Sequence, residues 1–230
     1  MVAPTTIPGL FQTGTHAARP AATAVGAGTL FACSTHGIIY QSDGAAWTTW
    51  FSGGGAGGGM TLISEQVLGS DAAFFDFASI PNTFKDLFLS YVVRSDHTST
   101  DNLYIRVGSG SLDTGATQYT SFAPYAGTTS ATINNTGSAY GFIGIIPGTP
   151  SNPGYFAAGD ITIQDYASTT KTRNIRGNSG YYDNGVSAYF VYDSWVTWKN
   201  VTQAIDIVRL YPMTGPNFKA GSKAALYGRA

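Results

Sequence analysis

Short segments in which apolar and polar residues alternate recur through most of the chain. In residues 86–94, DLFLSYVVR, the apolar residues at every second position share one face, and residues 102–107 and 159–166 repeat the pattern. A period of two residues is typical of a β-strand with one buried face. Clusters of Gly, Asn, Ser and Asp separate the segments, as the turns between antiparallel strands require. The pattern predicts an all-β fold with a C-terminal jelly-roll-like β-sandwich over residues 60–230.

Composition supports this fold class and limits the partners. Glu65 is the only glutamate and runs of Lys and Glu are missing, so long exposed helices are not expected; the one helical segment predicted is short, around residues 81–87. Charged residues make up 11% of the chain and the net charge is −1, which argues against a basic surface for nucleic acid. No nucleic-acid partner is predicted.

The first 59 residues differ in character from the rest. Prolines and glycines in residues 1–22 predict an extended attachment arm. Residues 23–52 predict a small β-meander docking unit with strands at 29–33, 38–41 and 47–51, and the pair Asp43-Gly44 favours a tight hairpin. Such a meander is too small to bury a core alone and is expected to pack on a partner. The run GGGAGGG at 53–59 is interpreted as a fitted joint, because glycine permits close backbone approach.

The N-terminal residues and the single cysteine bear on location and stability. Residues 1–16 lack the basic and apolar regions of a signal peptide, and no apolar run approaches the roughly 20 residues of a membrane span. The sequence therefore predicts a soluble chain made in a reducing cytoplasm, with no membrane partner. Cys33 has no second cysteine to pair with, so packing or oligomerisation must replace disulfides.

Candidate chemical groups are few, and each has an ordinary structural explanation. Cys33 and His36 lie three apart, but His16 and His97 are distant in sequence, so a buried thiol is favoured over a metal site or a Cys–His nucleophile. Asp96 and Asp101 leave open a hard-cation site in a loop. No metal, other cofactor or catalytic residue is predicted.

Two carboxylates near aromatic residues raise the alternative of glycan hydrolysis, which needs a pair of acids at a defined separation. Asp183 and Asp193 are the pair concerned, but Asp183 lies in the turn sequence GNSGYYDNG. Binding is more plausible than catalysis here. Tyr181, Tyr182 and Asp183 are predicted as a ligand-binding platform, because aromatic rings stack on sugars. The competing interpretation is that these tyrosines cap the sandwich or fill a seam between sister chains.

Two stretches carry a resemblance to a known class of proteins. Residues 18–47 contain Ala-Arg-Pro, then GTLF, GIIY and DGAAW, a pattern that resembles a small segment of bacteriophage fibre and appendage proteins. The segment IPNTF at 80–84 and the C-terminal run GPNFKAGSKAALYG at 215–228 resemble the opening and closing of a β-sandwich in tailed-phage virion proteins. The resemblance covers most of the chain.

The resemblance implies a non-enzymatic structural protein on the virion surface, made in the host cytoplasm, and we expect the capsid-decoration or head-fibre type. It also implies a homotrimer and capsid or tail proteins as partners. The residues expected to dock the chain on the virion are Ile7, Leu10, Phe11, Arg19 and Trp47. The alternative is a tail-fibre or receptor-binding protein that adheres to host surface glycan. A free-standing lectin or hydrolase is disfavoured by the lack of a secretion signal and the few carboxylates.

Overall fold

The computed structural model describes residues 11–52, 59–127, 130–183 and 188–230. It is 54% strand and 3% helix, which confirms the predicted all-β class. The chain forms two compact units, Met1–Gly58 and Gly59–Ala230, called here the N-terminal and C-terminal units. Their boundary falls within the predicted joint at 53–59. Residues 53–58 lie outside the described residues, so the fitted joint stays a prediction.

The N-terminal unit contains a four-stranded sheet in the order β1-β2-β3-β4. The strands are β1 (Phe11–Gly14), β2 (Leu30–Cys33), β3 (Ile38–Ser42) and β4 (Trp47–Ser52), and two short helical segments, His16–Ala18 and α1 (Ala22–Val25), lie between β1 and β2. Strands β2, β3 and β4 pair antiparallel in sequence order, as predicted for a meander. Residues 43–46 connect β3 and β4, so the tight turn lies one residue later than the predicted Asp43-Gly44 pair: the Asp43 N–H donates to the Ala46 carbonyl at 3.1 Å, and the Asp43 carboxylate accepts hydrogen bonds from the N–H groups of Ala45 and Ala46.

The predicted arm at 1–22 is corrected over its described part. Residues 11–14 form β1, which pairs in parallel with β2, with Phe11 opposite Leu30 and Gly14 opposite Cys33. A free arm would leave its backbone hydrogen-bonding groups to solvent, whereas pairing with β2 satisfies them within the sheet. The N-terminal unit is therefore larger than the predicted docking unit at 23–52. Residues 1–10, with Ile7 and Leu10, lie outside the described residues.

The C-terminal unit is a β-sandwich-like arrangement of two antiparallel sheets. The larger has eight strands in the order β11-β10-β15-β14-β13-β7-β17-β5, and the smaller follows the path β12-β8-β16-β6 with β9 attached to β8. The strands are β5 (Met60–Val67), β6 (Phe75–Phe77), β7 (Asp86–Val93), β8 (Asp101–Ser109), β9 (Ser111–Leu112), β10 (Tyr119–Gly127), β11 (Ala131–Ser138), β12 (Gly141–Ile146), β13 (Ala157–Ile163), β14 (Arg173–Asp183), β15 (Ala188–Trp198), β16 (Ile207–Pro212) and β17 (Lys223–Arg229). The jelly-roll connection pattern stays a prediction.

The core lies between these two sheets. Leu89 of β7, Ile105 of β8 and Leu210 of β16 are buried, and they belong to one apolar cluster. Direct contacts join the sheets: the Ser194 hydroxyl on β15 donates to the carbonyl of Ile143 on β12 at 2.6 Å. The predicted helix near 81–87 is corrected, since residues 82–85 form turns and β7 begins at Asp86.

Side chains alternate strictly between the two faces of the larger sheet, and the face that does not contact the core is open to solvent. In β14, Ile175 and Ser179 are buried while Asn174, Arg176 and Asn178 are exposed. The same alternation continues in β15 and β13. The C-terminal unit thus presents a broad sheet surface, called here the outer face, opposite its core.

Candidate functional site

A row of side chains crosses the outer face from one edge strand region to the other. Successive cross-strand partners, one per strand from β10 to β5, are Phe122, Trp195, Arg176, Thr162, Phe88, Tyr227 and Leu62. Residues directly opposite one another on paired strands have side chains in contact range. The outer face therefore carries a continuous row that is mainly aromatic and apolar, with one cation near its middle.

Several large apolar side chains near one end of this row are about half exposed. They form the aromatic patch, defined as Phe122 (49% exposed), Tyr182 (48%), Tyr189 (58%), Val191 (58%) and Trp195 (50%). Tyr182 and Tyr189 are direct cross-strand partners on β14 and β15. Concentrated apolar exposure of this kind marks interaction surfaces more often than ordinary solvent-facing sheet. The patch is accordingly the strongest candidate for a binding surface in the described residues.

A cavity of about 280 Å³ opens beside the Trp195 ring. Its lining consists of Thr162, Gln164, Asn174, Arg176, Trp195 and Arg229. A second cavity of about 470 Å³ shares Thr162 and Arg176 and continues toward Asp160, Asn178 and Asp193. Because they share two residues, the cavities form one polar groove along the aromatic patch, called here the Trp195 groove. Its hydroxyl, amide and guanidinium groups lie next to an accessible indole.

Arg176 links the ring to the charges of the groove. Its guanidinium carbon is 5.0 Å from the centre of the Trp195 ring, and its Nε and Nη2 donate to the two Asp193 carboxylate oxygens at 3.1 and 3.0 Å. The hydrogen bond with Asp193 raises the pKa of Arg176, so its positive charge is secure. Across the groove Asn178 Nδ2 donates to Asp160 Oδ1 at 2.7 Å. These pairs hold the polar side chains in fixed directions at the surface.

A buried tyrosine supports the groove from the core side. The Tyr91 hydroxyl donates to the Asn178 carbonyl at 2.7 Å. Burial raises the pKa of Tyr91 well above its usual range, which keeps the hydroxyl protonated and donating. Gly159 makes room for this contact, because a Cβ there would lie 2.5 Å from the Tyr91 hydroxyl oxygen. The floor of the groove is thus fixed by packing and by a side-chain hydrogen bond.

The arrangement suits binding by stacking and hydrogen bonding. An exposed indole can stack on the apolar face of a sugar ring, and neighbouring amide, hydroxyl and guanidinium groups can bind its hydroxyls. The same surface can pack against an apolar protein face, in which case the aromatic side chains supply most of the buried area.

The predicted ligand-binding residues occupy different environments. Tyr181 is 8% exposed and lies in the core, where its ring stacks on Phe190 at 5.4 Å between centroids. Tyr182 belongs to the aromatic patch, and its ring centre is 6.0 Å from that of Tyr155. Asp183 ends β14, and its side chain lies outside the described residues. A ligand-binding role for the three stays a prediction, with Tyr182 the one that the structure places on the outer face.

Trp195 is one of the aromatic residues near Asp183 and Asp193, but neither it nor Arg176 was among the predicted binding residues, although the pattern of residues 188–198 contained a usable signal. In AYFVYDSWVTW the positions of Tyr189, Val191 and Trp195 have the same parity, opposite to Val196 and Trp198. One of these two sets had to face away from the core. Three large apolar residues on the solvent side would then have indicated a binding surface.

The described residues expected to dock on a virion lie in the N-terminal unit. Phe11 is 55% exposed on β1. The Arg19 guanidinium carbon lies 4.2 Å from the centre of the Tyr40 ring and 5.7 Å from that of Trp47. Trp47 Nε1 donates to the Pro20 carbonyl at 2.7 Å. Arg19 and Trp47 therefore stabilise the N-terminal unit internally, and docking by these residues stays a prediction.

The carboxylates considered for a cation are already engaged by the protein. The Asp101 carboxylate, on a residue 2% exposed, accepts hydrogen bonds from the Ser95 hydroxyl at 2.8 Å and from the N–H groups of Thr214 and Gly215 at 3.0 and 2.7 Å. Asp96 accepts from the backbone and side-chain amides of Asn217. These bonds join the β7–β8 connection to the segment after β16. They give both acids a structural role.

Cys33 is a buried free thiol, as expected, but the assumption that His16 lies far from Cys33 and His36 is wrong. His16, which is distant in sequence, lies beside them, because β1 runs parallel to β2 and places Gly14 opposite Cys33. The ligand atoms of His16, Cys33 and His36 all lie within 4.8 Å of one another. His97 belongs to the other unit, where its ring contacts the Thr100 carbonyl. A metal site had been disfavoured because only two ligands were expected close together, and that reason no longer holds.

Comparisons with protein families, with curated proteins and with solved structures found no match to this chain. Within the part of the chain that the structure describes, no helix has the length and apolar character needed to cross a membrane.

Proposed function

We propose that this protein is a structural protein of a bacteriophage virion surface, of capsid-decoration or head-fibre type. In this proposal the N-terminal region docks the chain on the particle and the C-terminal unit is displayed. The observation that supports it is the outer face, where large apolar side chains are about half exposed although the core between the sheets is well filled. Such a surface fits a protein that works by assembly with other copies or with particle proteins.

A homotrimer accounts for the exposed side chains economically. In a trimer with a three-fold axis, one surface of each copy contacts a different surface of the next copy. The aromatic patch of one chain can therefore be covered by its neighbour. Fully burying a large apolar side chain contributes about 1.5–3 kcal/mol, so covering the exposed halves of the five patch residues yields on the order of 5 kcal/mol. Association costs about 4–15 kcal/mol, so further surface, such as exposed Met60 and Leu62 on β5, must take part.

The assembly part is tested by the molar mass of the full chain in solution. Light scattering after size exclusion is expected to give three times the chain mass of 24.1 kDa. A stable monomer at micromolar concentration contradicts the trimer. The location part is tested by imaging phage particles made from a genome that encodes this chain, labelled with antibody against the C-terminal unit. Label around the head supports the proposal, and unlabelled particles contradict it.

A second candidate function is adhesion to host surface glycan as a tail-fibre or receptor-binding protein. The Trp195 groove favours it, because an exposed indole can stack on a sugar ring while Asn174, Gln164 and Arg176 offer hydrogen-bonding groups beside it. Label at the tail tip, together with a glycan-array signal that Trp195→Ala removes, selects this function over capsid decoration. Label on the head without glycan binding selects the first.

A further inference from the structure

Three side chains of metal-ligand type converge at one end of the sheet in the N-terminal unit. Cys33 Sγ lies 3.4 Å from His36 Nδ1, and the ring centroids of His16 and His36 are 4.8 Å apart. Cys33 closes β2 and is buried, whereas both histidines are exposed. The thiol therefore forms the inner side of the cluster and the two imidazoles form its solvent side.

Backbone contacts fix this convergence. The N–H of Gly37 donates to the Cys33 carbonyl at 2.9 Å, which closes the turn that carries His36. The N–H and hydroxyl of Ser34 both donate to the Gly14 carbonyl, at 2.8 and 3.1 Å, so the end of β1 is tied to the same turn. The His16 N–H also donates to the Thr35 hydroxyl at 3.4 Å. Both histidine positions are thus held to the turn that follows Cys33.

The distances suit a tetrahedral metal ion. Zn²⁺ is bound at about 2.3 Å by thiolate and about 2.0–2.1 Å by imidazole, so its ligand atoms stand about 3.3–3.6 Å apart. The Cys33–His36 separation already falls in that range. The remaining separations, at most 4.8 Å, close by roughly 1.5 Å through rotation of the exposed His16 side chain. A thiol hydrogen-bonded to one imidazole needs no second imidazole beside it, so the position of His16 favours a metal over a Cys–His pair.

The N-terminal unit also has a physical need for such an ion. Among residues 11–50, for which burial is described, the buried ones are Ala22, Thr29, Phe31, Cys33 and Ser42. A core of this size is too small to stabilise a unit without a disulfide, a metal or a partner. Cys33 is the only cysteine of the chain, which excludes an intrachain disulfide. A bound metal would join β1, β2 and the turn at His36.

We propose that His16, Cys33 and His36 form a site for a divalent transition-metal ion of borderline softness, Zn²⁺ in the first instance, that stabilises the N-terminal unit. The ligands are one thiolate and two neutral imidazoles, and the thiol proton is released to solvent on binding. The fourth position faces solvent and is filled by water or by a ligand from another chain. This inference does not depend on the proposed virion function.

The test uses the full chain without a histidine tag, stripped of metal by a chelator and titrated with Co²⁺ and then Zn²⁺. Co²⁺ is expected to give the visible absorption of a tetrahedral site and a thiolate-to-cobalt charge-transfer band. Zn²⁺ is expected to displace it at one equivalent per chain. Limited proteolysis of residues 11–52 is expected to slow by at least about tenfold when Zn²⁺ is bound, since the metal stabilises the folded unit.

Variants separate the site from adventitious binding. His16→Gln alters an exposed side chain, so the fold is retained, and it is expected to weaken Zn²⁺ binding on the order of 100-fold. Cys33→Ser is expected to abolish the charge-transfer band. His97→Gln is the matched control, since it removes the remaining histidine of the chain and is expected to bind Zn²⁺ as the unaltered protein does.

Three results would overturn the proposal. One is Co²⁺ binding without a charge-transfer band, and another is equal Zn²⁺ affinity in the unaltered protein and the His16→Gln variant. The third is no binding at micromolar metal by a chain whose circular dichroism shows it folded. In the last case Cys33 and His36 are a hydrogen-bonded pair and His16 is an ordinary surface residue.

Discussion

The ring of Phe84 lies directly over Gly228, so closely that a Cβ built on the glycine would fall 2.2 Å from two of the ring carbons. Phe84 belongs to the segment IPNTF, which precedes β7, and Gly228 belongs to the segment LYG in β17, the last strand described. The β-strands bring them together, since Gly228 on β17 is the cross-strand partner of Leu87 on β7. The two sequence motifs therefore pack directly against each other.

Gly228→Ala is expected to destabilise the C-terminal unit by about 1–3 kcal/mol, because the added methyl group forces the aromatic ring and strand apart. Urea unfolding measures the loss. Gly69→Ala is the matched control, since nothing lies within 4 Å of a Cβ at that position, and its effect is expected to be near zero. Phe84→Leu in the Gly228→Ala background should recover part of the loss, and purely additive losses would contradict the contact.

Asp101→Ala is expected to cost the C-terminal unit about 3 kcal/mol or more, because it leaves the buried Ser95 hydroxyl and the N–H groups of Thr214 and Gly215 without their acceptor. Chemical denaturation measures it. Asp165→Asn is the comparison, since that carboxylate is exposed and pairs with Lys171 at 3.4 Å and Asn keeps the positive φ of this position; its effect should be much smaller. Equal losses of stability at the two sites would show that the hydrogen bonds of Asp101 do not stabilise the fold more than an exposed ion pair does.

Asp86 is expected to make stability fall at low pH. Burial alone would raise its pKa, but hydrogen bonds from Arg229 and from the Asp165 N–H outweigh burial, and the net pKa lies below the usual value. A lowered folded-state pKa stabilises the fold above the unfolded value of about 3.9, and this contribution is lost as pH falls through the folded pKa.

Thermal unfolding measured from pH 7 to pH 2 checks this expectation. The stability difference between the unaltered protein and Asp86→Asn should be largest at neutral pH and should shrink below about pH 4. Arg229→Gln removes the partner but leaves the burial, so the folded-state pKa of Asp86 rises toward its unfolded value and the acid-induced loss of stability should become smaller. A difference that stays constant over the whole range would contradict the role assigned to the Asp86 carboxylate.

Local sequence patterns predicted the strands of the N-terminal meander well, but they did not predict that β1 pairs with the meander. Ile38–Ser42 and Trp47–Ser52 were visible as apolar runs on either side of a turn. Nothing in FQTG indicates that it pairs in parallel with residues 30–33, because parallel pairing depends on a connection rather than on the strand itself. The arm prediction and the expected distance of His16 from Cys33 failed for this single reason.

For the outer face, alternation was informative but incomplete. Tyr181 and Tyr182 are neighbours in one strand and so must face opposite sides of the sheet, which means that both could not belong to one exposed platform. Which of them faces solvent depends on where the second sheet packs, and that is a tertiary property. The structure places Tyr181 against Phe190 in the core and leaves Tyr182 beside Tyr189.

Trp195→Ala should separate the role of the outer face in binding from any role in folding. The indole is 50% exposed, so its removal is expected to cost the isolated chain about 1 kcal/mol in stability. At the centre of an interface an exposed Trp contributes about 2 kcal/mol or more, which corresponds to a roughly 30-fold weaker contact. Analytical ultracentrifugation should then show dissociation of the proposed trimer at concentrations where the unaltered chain stays assembled.

Phe74 provides a matched control for Trp195, because it is also an exposed aromatic residue in contact with an ion-paired arginine. The Arg209 guanidinium carbon lies 3.6 Å from the centre of the Phe74 ring, and Arg209 pairs with Asp76 through both carboxylate oxygens, as Arg176 does with Asp193. Phe74 is 40% exposed but does not belong to the outer face. Phe74→Ala should therefore leave the molar mass and any glycan binding unchanged. If both variants behave like the unaltered chain in ultracentrifugation and on glycan arrays, the outer face is ordinary solvent-exposed sheet and the binding surface must lie elsewhere.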